Sequence, residues 1–293
     1  MVKFHELTAG AMHARISECG AELQDLRLDD WDLLWTPDVS IWPETAPFLF
    51  PVIGRTSSDS IKVDDQAYPM PMHGFARVSM FKTIAKSQNG CTLELVSNAE
   101  TRRHYPYQFA LRITYTLSET DLAIMAEIEN SGTESMPFSL GFHPGFSWPL
   151  RRDQPKDGHV LIFSDDEWLD YTRPVNRQIG PDRYRLPLNG GMLPVREELF
   201  AEGGLAFLTP RSRSLRFQTQ DGSAGIKLDF PDMPQLILWM KPGSDFLCIE
   251  PCLGHADPID FAGDFSRKPG VTMIAPHEAK HLTIKVSPWL RSA

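Results

Sequence analysis

The amino-acid sequence predicts an all-β fold, a large antiparallel β-sandwich or barrel with little helix. Three observations predict it. Apolar and polar residues alternate over short stretches, turn-forming residues recur between them, and no strand pattern is followed by a long helical one. Alternation is the mark of a strand with one buried face, and βαβ units would interleave a three-to-four-residue period.

The clearest element is the stretch "FALRITYTLSETDLAIMAEIENSG". Leu111, Ile113, Tyr115 and Leu117 share one face while Arg112, Thr114 and Thr116 share the other. After Ser118 to Asp121 the pattern resumes with Leu122, Ile124, Ala126 and Ile128, and it stops at Asn130-Ser131-Gly132. That is a hairpin with one wet face. The segments "CTLELVS", "VLIFS", "LAFLT", "SLRFQT", "GIKLDF", "LILWM", "FLCIE" and "HLTIKVS" read as further strands, rich in β-branched and large apolar residues. Their punctuation is glycine and proline. The one helical candidate is "PVREELFAE", residues 194–202, long enough for two turns. Without a repeat, a low-complexity stretch or a charge run to divide it, the chain is expected to form one domain over residues 1–293.

A net charge of −9 opposes nucleic-acid binding, which draws its affinity from Lys and Arg. The opening "MVKFHELTAG" lacks the apolar stretch of a signal peptide, and no run of about eighteen apolar residues suggests a membrane span. Cys19, Cys91, Cys248 and Cys252 lack the spacing of a zinc site, and a chain without an export signal has little need of disulfides. A cytoplasmic protein with reduced thiols, no metal and no cofactor is expected.

Polar residues stand out where the surrounding sequence is apolar or rich in glycine and proline. They are Arg55 in "PFLFPVIGRT", His73 and Arg77 in "PMPMHGFARV", His143 in "GFHPGFSW" and Glu250 in "FLCIEPCLG". Each has a plain structural reading: a surface arginine, a histidine on a turn, a glutamate on the wet face of a strand. A glutamate between a buried strand and a proline is also well placed to be a tuned general base.

These four motifs occur in the order and context of the aldose 1-epimerase (galactose mutarotase) family, which the sequence resembles over nearly its whole length. The match also takes in "LFAEGGLAFLTPRSRSLRF" and the closing "KPGVTMIAPHEAKHLTIKV". Its "HGFAR" is most similar to a bacterial branch of mutarotase-like proteins. The resemblance implies a single galactose mutarotase-like β-sandwich (a supersandwich) with a sugar cleft on one sheet. It implies that His143 is the general acid, that Glu250 is the general base, that His73 contacts the sugar near its ring oxygen, and that Arg55 binds sugar hydroxyls. Arg77, Phe142, Trp239 and Glu202 complete the expected sugar contacts. Phe75, Phe142, Phe146, Trp148 and Trp239 are the aromatic candidates for stacking on a pyranose, about half of them expected to be plain core.

Anomer exchange needs one acid and one base at the two ends of a hemiacetal, with neither metal nor nucleotide. The expected partner is therefore a small sugar, with no nucleic acid and no membrane, for a monomer or homodimer. Two features depart from the family pattern. Gly203-Gly204 stand where an aspartate is usual, with Glu202 alongside, and Gly145 replaces a larger residue, which would widen the pocket. "HADPID", residues 255–260, reads as a solvated loop rather than a metal site. The alternatives are a hexose-6-phosphate mutarotase using Arg55 and Arg77 with Arg102-Arg103 or Arg151-Arg152, a glycoside hydrolase or lyase, and a non-catalytic sugar sensor. Arg77 pairing with a carboxylate would favour the free sugar.

Overall fold

The computed structural model describes residues 2–166 and 168–291. Its largest sheet is antiparallel and nine-stranded. In spatial order the strands are Met192–Pro194, His159–Phe163, Ser214–Thr219, Ala224–Asp229, Ala279–Leu290, Leu122–Asn130, Phe109–Leu117, Gly90–Val96 and Lys82–Lys86. The hairpin read from the sequence forms two of its central strands, with Leu117 opposite Leu122 and Phe109 opposite Asn130. Leu111, Ile113, Tyr115, Ile124, Ala126 and Ile128 enter the core, whereas Arg112 joins Glu94, Glu127 and Glu129 in an ion-pair cluster on the other face. Alternation thus decided the face of each residue.

A second, six-stranded sheet positions the site. Its order is Leu205–Phe207, Gln235–Trp239, Phe246–Leu253, Leu140–Phe142 and Phe48–Leu49, and Gly145–Ser147 also pairs with Phe246–Leu253. One set of its side chains (Phe48, Leu140, Phe142, Leu205, Phe207, Leu236, Leu238, Leu247 and Ile249) belongs to the main core. The alternate set faces away from that core. A four-stranded sheet from Phe4–Ala9 to Trp31–Asp32 adds Leu7, Met12, Ala14, Ile16, Leu23 and Leu26 to the same core.

The helical reading of 194–202 shrinks to one 3-10 turn, Glu197–Phe200. Pro194 ends an edge strand, and the Val195 amide donates to the His159 carbonyl. Both residues are held extended, so only the following turn can coil.

Candidate active site

The outward set of the six-stranded sheet floors a cleft of about 590 Å³, within the usual range for small-molecule sites. Leu49, His143, Ala206, Ile237, Trp239 and Glu250 reach it from that sheet, and Trp42, Glu44, His73, Arg177, Gln178 and Glu202 add its rim.

His143 and Glu250 meet through strand register. Gly141 pairs with Cys252 and Gly145 pairs with Cys248, so His143 falls opposite Glu250 midway between those pairs. Cross-strand side chains on one face approach closely enough to interact. His143 Nε2 lies 3.4 Å from Glu250 Oε1. The sequence had left Glu250 either on the wet face of a strand or as a base. It does leave the core face, but the rim covers it and leaves it only 2% exposed.

Burial pushes the Glu250 carboxyl well above the usual carboxylate range. Burial also takes the His143 imidazole down to about 4. Trp42 and Trp239 wall the imidazole, with ring centroids 5.2 Å and 5.8 Å from it.

His73 sits in a left-handed conformation (φ 66°), unusual for a residue with a side chain. Its amide donates to the Gly54 carbonyl, and the Gly54 amide donates back to His73 Nδ1 at 3.1 Å. The neutral ring therefore carries its proton on Nε2 and serves as a hydrogen-bond donor. Burial and the neighbouring His143 hold its pKa well below 6.5. Gly74 is required beside it: a Cβ there would lie 2.1 Å from the Phe50 carbonyl oxygen.

The structure brings together His143, Glu250, His73, Trp239 and Glu202, and moves three other expected contacts elsewhere. The Arg55 guanidinium turns outward to form two 2.7 Å hydrogen bonds with Asp59. Arg77 pairs with Glu44, and it is Glu44 that lines the cleft. Phe142 points into the core against Phe48, because it ends the strand Leu140–Phe142 just before His143 and takes the opposite face. Phe75, Phe146 and Trp148 are buried in the same core, which leaves Trp239 as the cleft aromatic among the five.

Glu202 lines the cleft with an exposed side chain and pairs with Arg173 at 3.1 Å. Gly203 and Gly204 do line the wall beside it. Gly145 does not widen the pocket, because a Cβ there would meet Trp42 Cζ3 at 2.7 Å. The space left by the glycine is filled by that indole. The "HADPID" segment is not a solvated loop either. His255 and Asp257 are buried, Asp257 lies 3.5 Å from the buried Lys268 ammonium and accepts from the Ser57 amide, and Ala256 lines the cleft.

Sequence reasoning missed Trp42, Glu44, Arg177 and Gln178. The last two belong to a tight hairpin, Pro174–Val175 with Gln178–Ile179, whose turn residues Asn176 and Arg177 both have positive φ. Asparagine in a short polar stretch was the available signal for that turn.

The family model described as aldose 1-epimerase matches residues 3–263. The chain belongs to the aldose 1-epimerase family. Protein LacX of Lactococcus lactis subsp. lactis (plasmid form) is 29% identical over 282 residues, covering 92% of this chain and 94% of LacX. A galactose mutarotase-like protein from Lactobacillus casei superposes with a TM-score of 0.90 at 28% identity, covering 98% of this chain and 100% of that one. A galactose mutarotase related enzyme from Lactobacillus acidophilus reaches 0.93 at 24% identity, covering 99% and 98%. The antiparallel all-β fold expected from alternation is thus the galactose mutarotase-like one. No described helix is long and apolar enough to cross a membrane.

Proposed function

We propose that this family member is an aldose 1-epimerase that interconverts the α and β anomers of a free, uncharged aldose. The observation that carries the reading is the buried cross-strand pair His143–Glu250 at the floor of the cleft. An acid and a base side by side, screened from water, are what exchange at a hemiacetal requires.

In the reaction, Glu250 takes the proton from the anomeric O1–H while His143 delivers one to the ring oxygen O5. The C1–O5 bond breaks as the C1=O1 double bond forms. Rotation about C1–C2 exposes the other face of the carbonyl. O5 then attacks that face, His143 recovers its proton, and Glu250 returns its own to O1. No proton is gained or lost over the cycle. Burial disfavours the charged form of each group, so the empty pair holds a single proton in the neutral range. Ring opening starts from the arrangement with that proton on His143 and Glu250 ionised, and it ends with the proton on Glu250. His73 Nε2–H donates to the sugar near O5, and Trp239 offers an apolar face to the pyranose.

The charge of the rim supports a neutral substrate. Arg77 is paired with Glu44 and Arg173 with Glu202, so among the described residues Arg177 is the cleft-lining guanidinium left for an anion, short of the cluster of cations that would hold a phosphate. Polarimetry of freshly dissolved aldoses, with the spontaneous rate subtracted, tests the proposal. Acceleration well above background supports it, and a rate equal to background for every aldose would refute it.

A further inference from the structure

We propose that His143, Cys248 and Glu250 form a reversible inhibitory site for a thiophilic divalent cation such as Zn2+, bound at the floor of the cleft in place of the sugar. The competition with sugar rests on the function proposed above, whereas the site itself does not.

Strand alternation puts Cys248 on the same face as Glu250, one step along the strand, and register puts it opposite Gly145. One donor atom from each of the three residues lies within 4.8 Å of the others. The His143 Nε2 to Glu250 Oε1 separation of 3.4 Å is long for a hydrogen bond. It matches the roughly 3.5 Å between neighbouring ligands of a tetrahedral zinc ion. Bringing the sulfur to the same spacing takes a shift of about 1 Å, within the reach of rotamer adjustment.

Charge and solvation favour the same cation. A thiolate and a carboxylate cancel two positive charges, and the neutral imidazole adds none, so the occupied site leaves no net charge in a dry environment. Among the described residues, His143 Nδ1 is buried without a hydrogen-bond partner, and Glu250 Oε1 faces His143 Nε2 at 3.4 Å. His143 and Glu250 both line the cleft, which gives the cation its entry and leaves the fourth position open to water. A ligating histidine usually donates its second N–H to an acceptor, and His143 Nδ1 has none. Three ligands without that support fit reversible occupancy rather than a resident structural ion. Mg2+ and Ca2+, which need six or more oxygen ligands, are excluded by the donor set.

Binding displaces the thiol and carboxyl protons into solvent, with no change in oxidation state. Cd2+ serves as the spectroscopic probe, because a cadmium–thiolate bond gives an ultraviolet charge-transfer band. The full chain is expected to develop that band on Cd2+ titration, and Zn2+ is expected to inhibit anomer exchange in a way relieved by EDTA and opposed by sugar. Cys248→Ser should retain basal exchange, lose the band, and need at least about tenfold more Zn2+ for half-inhibition. Cys252→Ser, on the same face but outside the cluster, should behave as wild type, and Mg2+ should have no effect. Should Cys248→Ser fail to fold, Glu250→Gln is titrated with Cd2+ and should bind at least about tenfold more weakly. A band that persists in Cys248→Ser, the lack of any band in the wild type, or unchanged Cd2+ affinity in Glu250→Gln would overturn the site. A band that requires Cys248 in a protein with no exchange activity would uphold the site and refute the epimerase reading.

Discussion

His143 stands directly opposite Glu250 across two antiparallel strands, held between the Gly141–Cys252 and Gly145–Cys248 pairs with Nε2 3.4 Å from Oε1. The pair is held at the sheet: Glu250 lies within the strand Phe246–Leu253, and His143 in the two-residue break between Leu140–Phe142 and Gly145–Ser147, its amide donating to the Pro47 carbonyl. Its geometry is therefore fixed by backbone hydrogen bonds, and its chemistry by the burial that the rim imposes.

The first consequence is a pH profile. From the sequence, the rising limb of kcat/KM would be assigned to Glu250 losing its proton and the falling limb to His143 losing its own. The structure supports the opposite order, since burial lowers His143 to about 4 and raises Glu250 well above the carboxylate range. Activity should fall in acid as the pair gains a second proton, and in alkali as it loses its only one. Polarimetry from pH 3 to pH 10, background-subtracted, should show the acid limb below the ordinary histidine range. A rising limb centred near 6.5 would show that His143 titrates as a solvated imidazole.

The same burial links stability to pH. His143 has a folded pKa below its unfolded value, so its contribution is present above 6.5 and is lost as pH falls through about 4. Glu250 is raised, so its contribution is present below its ordinary value and is lost as pH climbs through the raised one. His143→Gln should remove a pH-dependent loss on the order of 3 kcal/mol between pH 6.5 and 4. Urea unfolding of both proteins at several pH values measures it, and parallel stability curves across that window would contradict the assignment.

Gly145 is expected to act through Trp42. A methyl group there meets the indole at 2.7 Å, so Gly145→Ala should push Trp42 toward the sugar and raise KM by roughly tenfold, the equivalent of about 1.4 kcal/mol, with less effect on kcat. Steady-state kinetics would show it. An unchanged KM would mean that the indole does not border the bound sugar.

Substrate charge offers another test. With Arg77 committed to Glu44, a free aldose should be exchanged with kcat/KM at least comparable to its 6-phosphate, and Arg77→Ala should alter both alike. Arg102, Arg103, Arg151 and Arg152 are absent from the cleft lining. A strong preference for the phosphate that disappears in Arg77→Ala would make the protein a hexose-phosphate mutarotase instead.

Much of this was legible in the sequence, because period-two alternation reports a strand's faces directly. Leu111 to Ile128 gave a hairpin, and "LILWM" separates Leu236 and Leu238 in the core from Ile237 and Trp239 in the cleft. The same rule assigns Phe142 to the core once His143 is assigned to the cleft, so that misplacement was avoidable. The rim is different in kind. Trp42, Glu44, Arg177 and Gln178 arrive on loops from distant parts of the chain, and no local period encodes where a loop closes. Arg55 and Arg77 were misplaced for a related reason. Their carboxylate partners, Asp59 and Glu44, are chosen by tertiary folding, and a guanidinium in a polar loop does not announce its pair.

The most direct test of the central claim is the exchange rate of Glu250→Gln, followed by saturation-transfer NMR between the two anomers of the best aldose. Gln keeps the shape of Glu250 but can neither accept nor deliver the proton. Removing that transfer is expected to cost on the order of a hundredfold or more in kcat. Circular dichroism should show an intact fold, since the replacement removes a buried ionisable group rather than a packing contact. A folded Glu250→Gln protein exchanging anomers near background would uphold the account, and one working at the wild-type rate would contradict it.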